Sequence, residues 1–309
     1  MSYAYYPGCS LKGSSKAYEE SLLAVFETLG VGLAELDDWN CCGATAYAAV
    51  DETKAHVLTA RNLALAEAAT PGPAPVELVA PCAGCYMALL RAQRHLKENR
   101  AVGERVHGAL EAVGLRYEGR VRVRHPLDVL VNDVGLERIG DAVTRPLGGL
   151  KVACYYGCLL VRPYAPFDDQ RNPTSMDRLM RTIGAEPIEW PLKTRCCGGS
   201  CCGGPLVGTI REAGLRLIYV LLKDAKRRGA DVLATVCPLC QFNLECFQER
   251  VSREFADPVD LNVGFFTQIL GLALGLDERS LGLQRMLRWQ LPEPRPVLAT
   301  APGGTYARA

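Results

Sequence analysis

Three hundred and nine residues, at about 150 per domain, predict two domains, and 49% apolar with 22% charged residues exclude a disordered or collagen-like chain. Thirty-five Lys and Arg against 34 Asp and Glu leave a net charge of +1, with no positive excess to neutralise phosphates, which argues against a nucleic-acid partner. The longest mostly apolar run, Phe265 to Leu276, falls short of the ~20 residues of a membrane helix, and Met1-Ser2-Tyr3-Ala4 resembles no signal leader, so a cytoplasmic chain with no direct membrane span is expected.

In chain order, Cys9 is followed by Ser14-Ser15, which offers a helix N-cap. Tyr18, Leu22, Val25, Phe26 and Leu29 then fall on one helical stripe, ended by Gly30. Trp39-Asn40-Cys41-Cys42-Gly43 comes next. Pro71-Gly72-Pro73-Ala74-Pro75 reads as a connection from a helix to the short strand Val76–Ala80, which runs into Cys82 and Cys85. A helical pattern, Tyr86 to Arg91, follows, and Lys97 to Gly114 reads as a solvated helix. Two Gly and a Pro in Arg145–Gly149 interrupt regular structure before the strand-like Leu150–Ala153. Beyond Cys158, Met176, Leu179, Met180 and Ile183 form a second stripe, closed by Gly184. Cys196-Cys197-Gly198-Gly199 and the strand-like Ala230–Ala234, running into Cys237 and Cys240, complete the series.

The second half repeats the first. The block around Tyr5-Tyr6-Pro7-Gly8-Cys9 returns at Tyr155-Tyr156-Gly157-Cys158, the Cys-Cys-Gly block returns at Cys196, and the Cys-x-x-Cys block at Cys237; the cysteine offsets are 149, 155 and 155. Val123–Leu130 parallels Val263–Leu270. Strands alternating with helices favour an α/β class: two pseudo-symmetric domains, residues 1–147 and 148–290, each a small mostly parallel sheet flanked by helices. Residues 291–309, rich in Pro, Ala and Gly, are expected to be a flexible tail. Strand order is left open at this point.

Fourteen cysteines are the anomaly. A reducing compartment does not sustain them as a disulfide framework, and regularly spaced reduced cysteines point to metal. Each half supplies a lone cysteine, an adjacent pair and a Cys-x-x-Cys, five in all. Zinc takes four ligands in a tetrahedron, as does a cubane cluster. The repeated fifth ligand and the adjacent pair suit a larger iron–sulfur cluster better than one small ion, although a zinc-stabilised scaffold stays open on spacing alone. Glycines after each Cys-Cys pair would let the chain approach a cluster closely, and each Cys-x-x-Cys before a helix would sit at a helix N-terminus, which lowers a thiol pKa.

With Cys154-Tyr155-Tyr156-Gly157-Cys158-Leu159-Leu160-Val161-Arg162-Pro163 and the closing Phe266–Leu276, this spacing resembles the tandem CCG-domain proteins, and among them the B subunit of heterodisulfide reductase, over about residues 2 to 285. The resemblance implies two noncubane [4Fe–4S] clusters, facing each other across the interface between the halves. Their ligands would be Cys9, Cys41, Cys42, Cys82 and Cys85, then Cys158, Cys196, Cys197, Cys237 and Cys240. It implies oxidoreductase activity that makes or breaks an S–S bond in a disulfide, thiol or protein-bound sulfur substrate. Since the chain carries no ferredoxin cysteine run, electrons would come from partners: a ferredoxin-like C subunit and a flavin-binding A subunit. The alternative is an electron-transfer CCG subunit of a lactate-, glycolate- or succinate-type oxidoreductase.

Four cysteines remain: Cys154, Cys201, Cys202 and Cys246 are expected to pack or to support the ligands rather than ligate. His56, His95, His107 and His125 share no spacing, and none is assigned as ligand or proton donor. Lys12 and Arg162, each close behind the first ligand of its half, are expected to be solvated charge.

Overall fold

The computed structural model describes residues 1–44, 46–199 and 205–292. Cys201, Cys202 and the tail beyond Pro292 lie outside the described residues. Among the described residues, eight strands form two four-stranded sheets, each parallel throughout. In the first half β1 (Ser2–Tyr5), β2 (Gly32–Glu35), β3 (Val76–Val79) and β4 (Val121–Arg124) lie in the order β2-β1-β3-β4. In the second, β5 (Lys151–Tyr155), β6 (Glu186–Pro187), β7 (Val232–Thr235) and β8 (Asn262–Phe265) lie in the order β6-β5-β7-β8. The chain is therefore α/β, built from two copies of one unit.

Burial differs sharply between central and edge strands at one side of each sheet. β7, Val-Leu-Ala-Thr, is buried at every position, as a parallel strand covered on both faces requires. β2, at the edge, is largely exposed, and β6 is a two-residue edge strand whose Pro187 sits where a missing N–H is tolerated. These two of the four edge strands carry too little apolar pattern to be anticipated.

The first stripe is the buried face of the helix Lys16–Thr28, and the second that of the helix Ser175–Thr182. Burying Leu22, Val25 and Phe26 contributes roughly 1.5–3 kcal/mol each. Ser15 does occupy the N-cap position, but its side chain makes no capping bond, and its Oγ is buried without a partner among the described residues. Asn99 divides the expected solvated helix: it ends the helix Ala83–Glu98 and caps Arg100–Glu111 by accepting from Val102 N at 3.2 Å.

The halves are crossed rather than merely adjacent. The helix Lys16–Thr28 packs on Phe266–Ala273 of the second half: Tyr18 stacks on Phe265 with ring centroids 4.3 Å apart, and Ser21 and Thr267 share a hydroxyl hydrogen bond of 2.7 Å. Reciprocally, Ser175–Thr182 packs on Leu136–Asp141 of the first half. One difference breaks the symmetry: β4 runs through Pro126–Asp128 into a π-helical turn, Val129–Gly135, whereas β8 runs into a regular helix. Buried Arg124 on β4 gathers Glu77, Asp128 and Asp133 around it.

In open α/β sheets the ligand crevice lies beyond the carboxyl ends of the strands, where strand order reverses. Here that place is beyond β1 and β3 in one sheet and β5 and β7 in the other. It is where the cysteines are.

Candidate metal centre

β1 ends at Tyr5 and leads to Cys9, β2 ends at Glu35 and leads to Cys41 and Cys42, and β3 ends at Val79 and leads to Cys82. Cys82 is the N-cap of the helix Ala83–Glu98 and Cys85 lies in its first turn. The second half repeats this arrangement, with Cys158 beyond β5, Cys196 and Cys197 beyond β6, and Cys237 capping the helix Pro238–Cys246. Both Cys-x-x-Cys segments thus open helices, as the pattern requires.

Within each quintet the sulfurs lie close to one another. Cys9 and Cys41 lie 3.8 Å apart, Cys42 and Cys85 3.2 Å, and Cys197 and Cys240 3.4 Å. Cys158 meets Cys196, Cys82 meets Cys85, and Cys237 meets Cys240. Across the seam between the halves, Cys82 meets Cys237. Eight of the ten sequence-predicted thiols therefore form one connected group, and the Cys158–Cys196 pair lies near enough to Cys197 and Cys237 to feel their charge. Hydrogen bonds from Cys42 and Cys9 hold the Cys41 thiol well below its usual range, and those from Cys240 and Cys82 do the same for Cys237. Cys9, Cys158, Cys85 and Cys240 are pushed up, by the protons they share with neighbouring sulfurs and by burial.

The backbone is shaped around these sulfurs. Gly8 and Gly157 have φ of +71° and +67°, and a Cβ there would stand 2.9 Å from Cys85 Sγ and 3.3 Å from Cys240 Sγ. The sequence pattern points instead to a close approach at Gly43 and Gly198. Both are left-handed, but a Cβ at either would meet only ordinary contacts of 3.4 Å or more. Gly199 does crowd its neighbours, with Cys197 Sγ at 3.1 Å, and its N–H donates to that sulfur at 3.3 Å.

The structure also adjusts the repeat. Tyr6 and Tyr155, each three residues before the first cysteine of its half, are equivalent: Tyr6 donates to Asn40 O at 2.8 Å and Tyr155 to Arg195 O at 2.6 Å, the carbonyls just before each Cys-Cys pair. Cys154 consequently matches Tyr5, buried in the sheet away from the quintets, and Cys246 is exposed at the far end of its helix. Lys12 pairs with Glu19 and Glu35, and Arg162 donates to Thr194 O, so both are engaged rather than merely solvated.

Three residues escape the sequence pattern. Tyr18 Oη, fully buried, lies 3.4 Å from both Pro81 O and Val236 O, the carbonyls preceding Cys82 and Cys237. His125, also fully buried, accepts from Leu127 N at Nδ1 and therefore presents Nε2–H to Pro81 O at 3.0 Å. An isolated Tyr and an isolated His give no spacing signal. Arg91 is the third. It lines a cavity of about 270 Å³ with Tyr156, Cys158, Leu159, Cys196 and Cys240, and a smaller one of about 60 Å³ with Cys42 and Leu159, so it stands between the quintets with no ion pair among the described residues.

Donors that are all sulfur, sulfurs in mutual contact, amides directed at them and helix N-termini beneath two of them suit a soft, polynuclear thiolate-bound centre. The cysteine-rich CCG domain matches this chain twice, over residues 3–90 and 152–245. The chain belongs to the CCG cysteine-rich domain family. A protein of Wolinella succinogenes named 8-methylmenaquinol:fumarate reductase membrane anchor subunit is 31% identical, over 91% of this chain and 95% of that one. A protein of Archaeoglobus profundus, named for its likeness to the B subunit of heterodisulfide reductase, is 29% identical (90% of this chain, 92% of that one). The B subunit of the ferredoxin:CoB-CoM heterodisulfide reductase of Methanosarcina mazei is 26% identical (90% and 91%). A solved structure of a hypothetical protein from Helicobacter pylori shares the fold, with a TM-score of 0.70 and 19% identity over 92% of this chain; the chain spans about half that protein's length (51%). Among the described residues of this CCG protein, no helix is long and apolar enough to cross a membrane.

Proposed function

We propose that the chain is the iron–sulfur subunit of a heterodisulfide reductase-like complex, and that an S–S bond is made or broken in the cavity between its halves. The observation that carries this reading is the seam: Cys82 and Cys237 touch, so the two thiol quintets adjoin where the halves meet, beside a cavity lined by residues of both halves. Cys9, Cys41, Cys42, Cys82 and Cys85 would hold one noncubane [4Fe–4S] cluster, and Cys158, Cys196, Cys197, Cys237 and Cys240 the other. When bound, such centres supply one-electron steps and iron with a high affinity for sulfur.

The remaining roles fall to side chains. Cleavage consumes two electrons and two protons and yields two thiols. Arg91, at the rim of both cavities, attracts and orients an anionic disulfide. Leu159 and Leu239 border the space where charge develops and keep water from it. Tyr18 and His125 hold the two peptides that deliver Cys82 and Cys237, fixing the separation of the halves. Electrons would arrive from a ferredoxin-like C subunit and a flavin-binding A subunit, in a cytoplasmic complex.

The Wolinella relative favours a second reading, in which the chain only passes electrons within a quinol- or succinate-type oxidoreductase. Anaerobic purification of the complex, reduction, and addition of candidate disulfides separates the two. Thiol release stoichiometric with electrons consumed supports the first reading. Electron passage to a quinone with no thiol chemistry defeats it.

A further inference from the structure

Outside the thiol quintets, one group of donors is unexplained. Asp51 caps the helix Glu52–Ala69, its carboxylate already accepting from Lys54 N at 3.0 Å. Glu52 and His56, four residues apart, share one face of that helix. His95 comes from the last turn of the neighbouring helix, Ala83–Glu98. Glu52 Oε1 lies 3.8 Å from His56 Nε2, the two imidazole rings are 4.7 Å apart, and the donor atoms of all three lie within 4.8 Å of one another.

The second observation is an orphan. His56 is 8% exposed, and its Nε2 faces Glu52 and His95 without a hydrogen-bond partner among the described residues. Buried polar atoms in native proteins are seldom left unsatisfied, so this one calls for a ligand. We propose that Glu52, His56 and His95 form a sulfur-free site for one divalent transition-metal ion of zinc's class.

Two nitrogens and one oxygen make a borderline donor set, chemically apart from the thiols, and three protein ligands leave a position for water or a further ligand. Burial, His95 and Arg91 keep the His56 imidazole neutral, the form that binds metal. Arg91 also opposes a cation, and the Glu52 carboxylate offsets it. Exposed Glu52 and half-buried His95 leave a way in from solvent. An ion there would clamp the start of the helix Glu52–Ala69, the second helix after Cys41-Cys42-Gly43, to the last turn of the helix headed by Cys82 and Cys85. It would therefore brace two of the three segments that carry the first quintet. The inference does not depend on which cofactor the thiols hold.

The test uses the full chain, purified without oxygen and with its iron in place, then given one equivalent of zinc and dialysed. Metal analysis is expected to find one zinc per chain. Zinc X-ray absorption is expected to show nitrogen and oxygen neighbours at about 2.0–2.1 Å with no sulfur at about 2.3 Å. His95→Ala, on a half-buried side chain the fold tolerates, should weaken zinc binding at least tenfold with iron content unchanged, and added zinc should raise the thermal midpoint of the parent chain but not of the variant. Glu52→Gln should give a smaller loss in the same direction. A sulfur shell around the zinc, no zinc retained, or equal zinc retention by His95→Ala would overturn the assignment.

Discussion

Gly8→Ala tests whether the backbone before Cys9 is shaped by a sulfur or merely by a turn. At φ +71° an alanine incurs the left-handed penalty, about 1–2 kcal/mol. The new methyl would also stand 2.9 Å from Cys85 Sγ, well inside the about 3.5–4.0 Å of ordinary contact. Cys85 is held in the first turn of its helix and cannot retreat without moving that helix, so the local segment Gly8–Lys12 must shift and carry Cys9 with it. Two of the five proposed ligands in the first quintet are then displaced together. The two proposed four-iron clusters would give about eight iron atoms per chain. Gly8→Ala should therefore fall to about four when purified without oxygen, with the second cluster's spectrum intact and total stability down by about 2 kcal/mol. Gly157→Ala, with its looser 3.3 Å approach to Cys240, should lose less. Iron content and electron paramagnetic resonance measure both. Full iron in Gly8→Ala, at the predicted loss of stability, would refute the link between this glycine and the cluster, because strain alone does not remove iron.

Replacing Cys82 or Cys237 by Ser should each cost about half of the iron, about four atoms of about eight, and at least tenfold in disulfide turnover; unchanged iron in either would remove that residue from the ligand set. Arg91→Met should raise the KM for an anionic disulfide about tenfold with kcat within about twofold, and leave a neutral disulfide unaffected, which steady-state kinetics will show. Arg124→Met leaves Asp128 and its neighbours as uncompensated buried charge and should destabilise the chain by about 3–5 kcal/mol in denaturant titrations, with no direct effect on sulfur chemistry. Burial pushes His125 down to about 4, below the ~6.5 of an unfolded histidine, so its neutral form contributes stability that is complete above pH ~6.5 and fades as pH falls toward 4, by roughly 3 kcal/mol. Urea unfolding at pH 7.5 and pH 5 should show a smaller acid loss in His125→Gln than in the parent; equal losses would mean that His125 is not the group concerned.

Much of the fold is legible because the chain states it twice. The two stripes, the strands leading into each Cys-x-x-Cys and the gathering of the thiol quintets all rest on residue types at a spacing, and spacing survives in a sequence. The edge strands β2 and β6 do not show because an exposed four-residue strand and a two-residue strand with proline carry no period. Gly8 and Gly157 stand in plain view in the repeat, yet its pattern draws the eye to the glycines after the Cys-Cys pairs. Only coordinates reveal that the nearer sulfur belongs to the distant Cys-x-x-Cys. His56 and His95 are 39 positions apart on separate helices, and their meeting is a matter of helix packing that no local pattern encodes.

The crossing of the halves explains why a duplicated sheet brings its two thiol groups to one seam. Each sheet alone would place its cysteines beyond the carboxyl ends of its central strands and open them to solvent. Packing Lys16–Thr28 on the second half's closing helix, and Ser175–Thr182 on the first half's, turns those two ends toward each other. Tyr18 lies in both roles: its ring is part of the packed stripe against Phe265, and its hydroxyl reaches the two carbonyls that deliver Cys82 and Cys237. One side chain therefore touches both the packed interface and the two peptides that carry Cys82 and Cys237. Tyr18→Phe keeps the stacking and removes only the hydroxyl, so it separates these functions. The thermal midpoint should move little, because the lost hydrogen bonds are long and weak at 3.4 Å. If the hydroxyl governs how the quintets face each other, magnetic coupling between the two reduced centres should change while each keeps its iron. An unchanged coupling would leave Tyr18 a packing residue and nothing more.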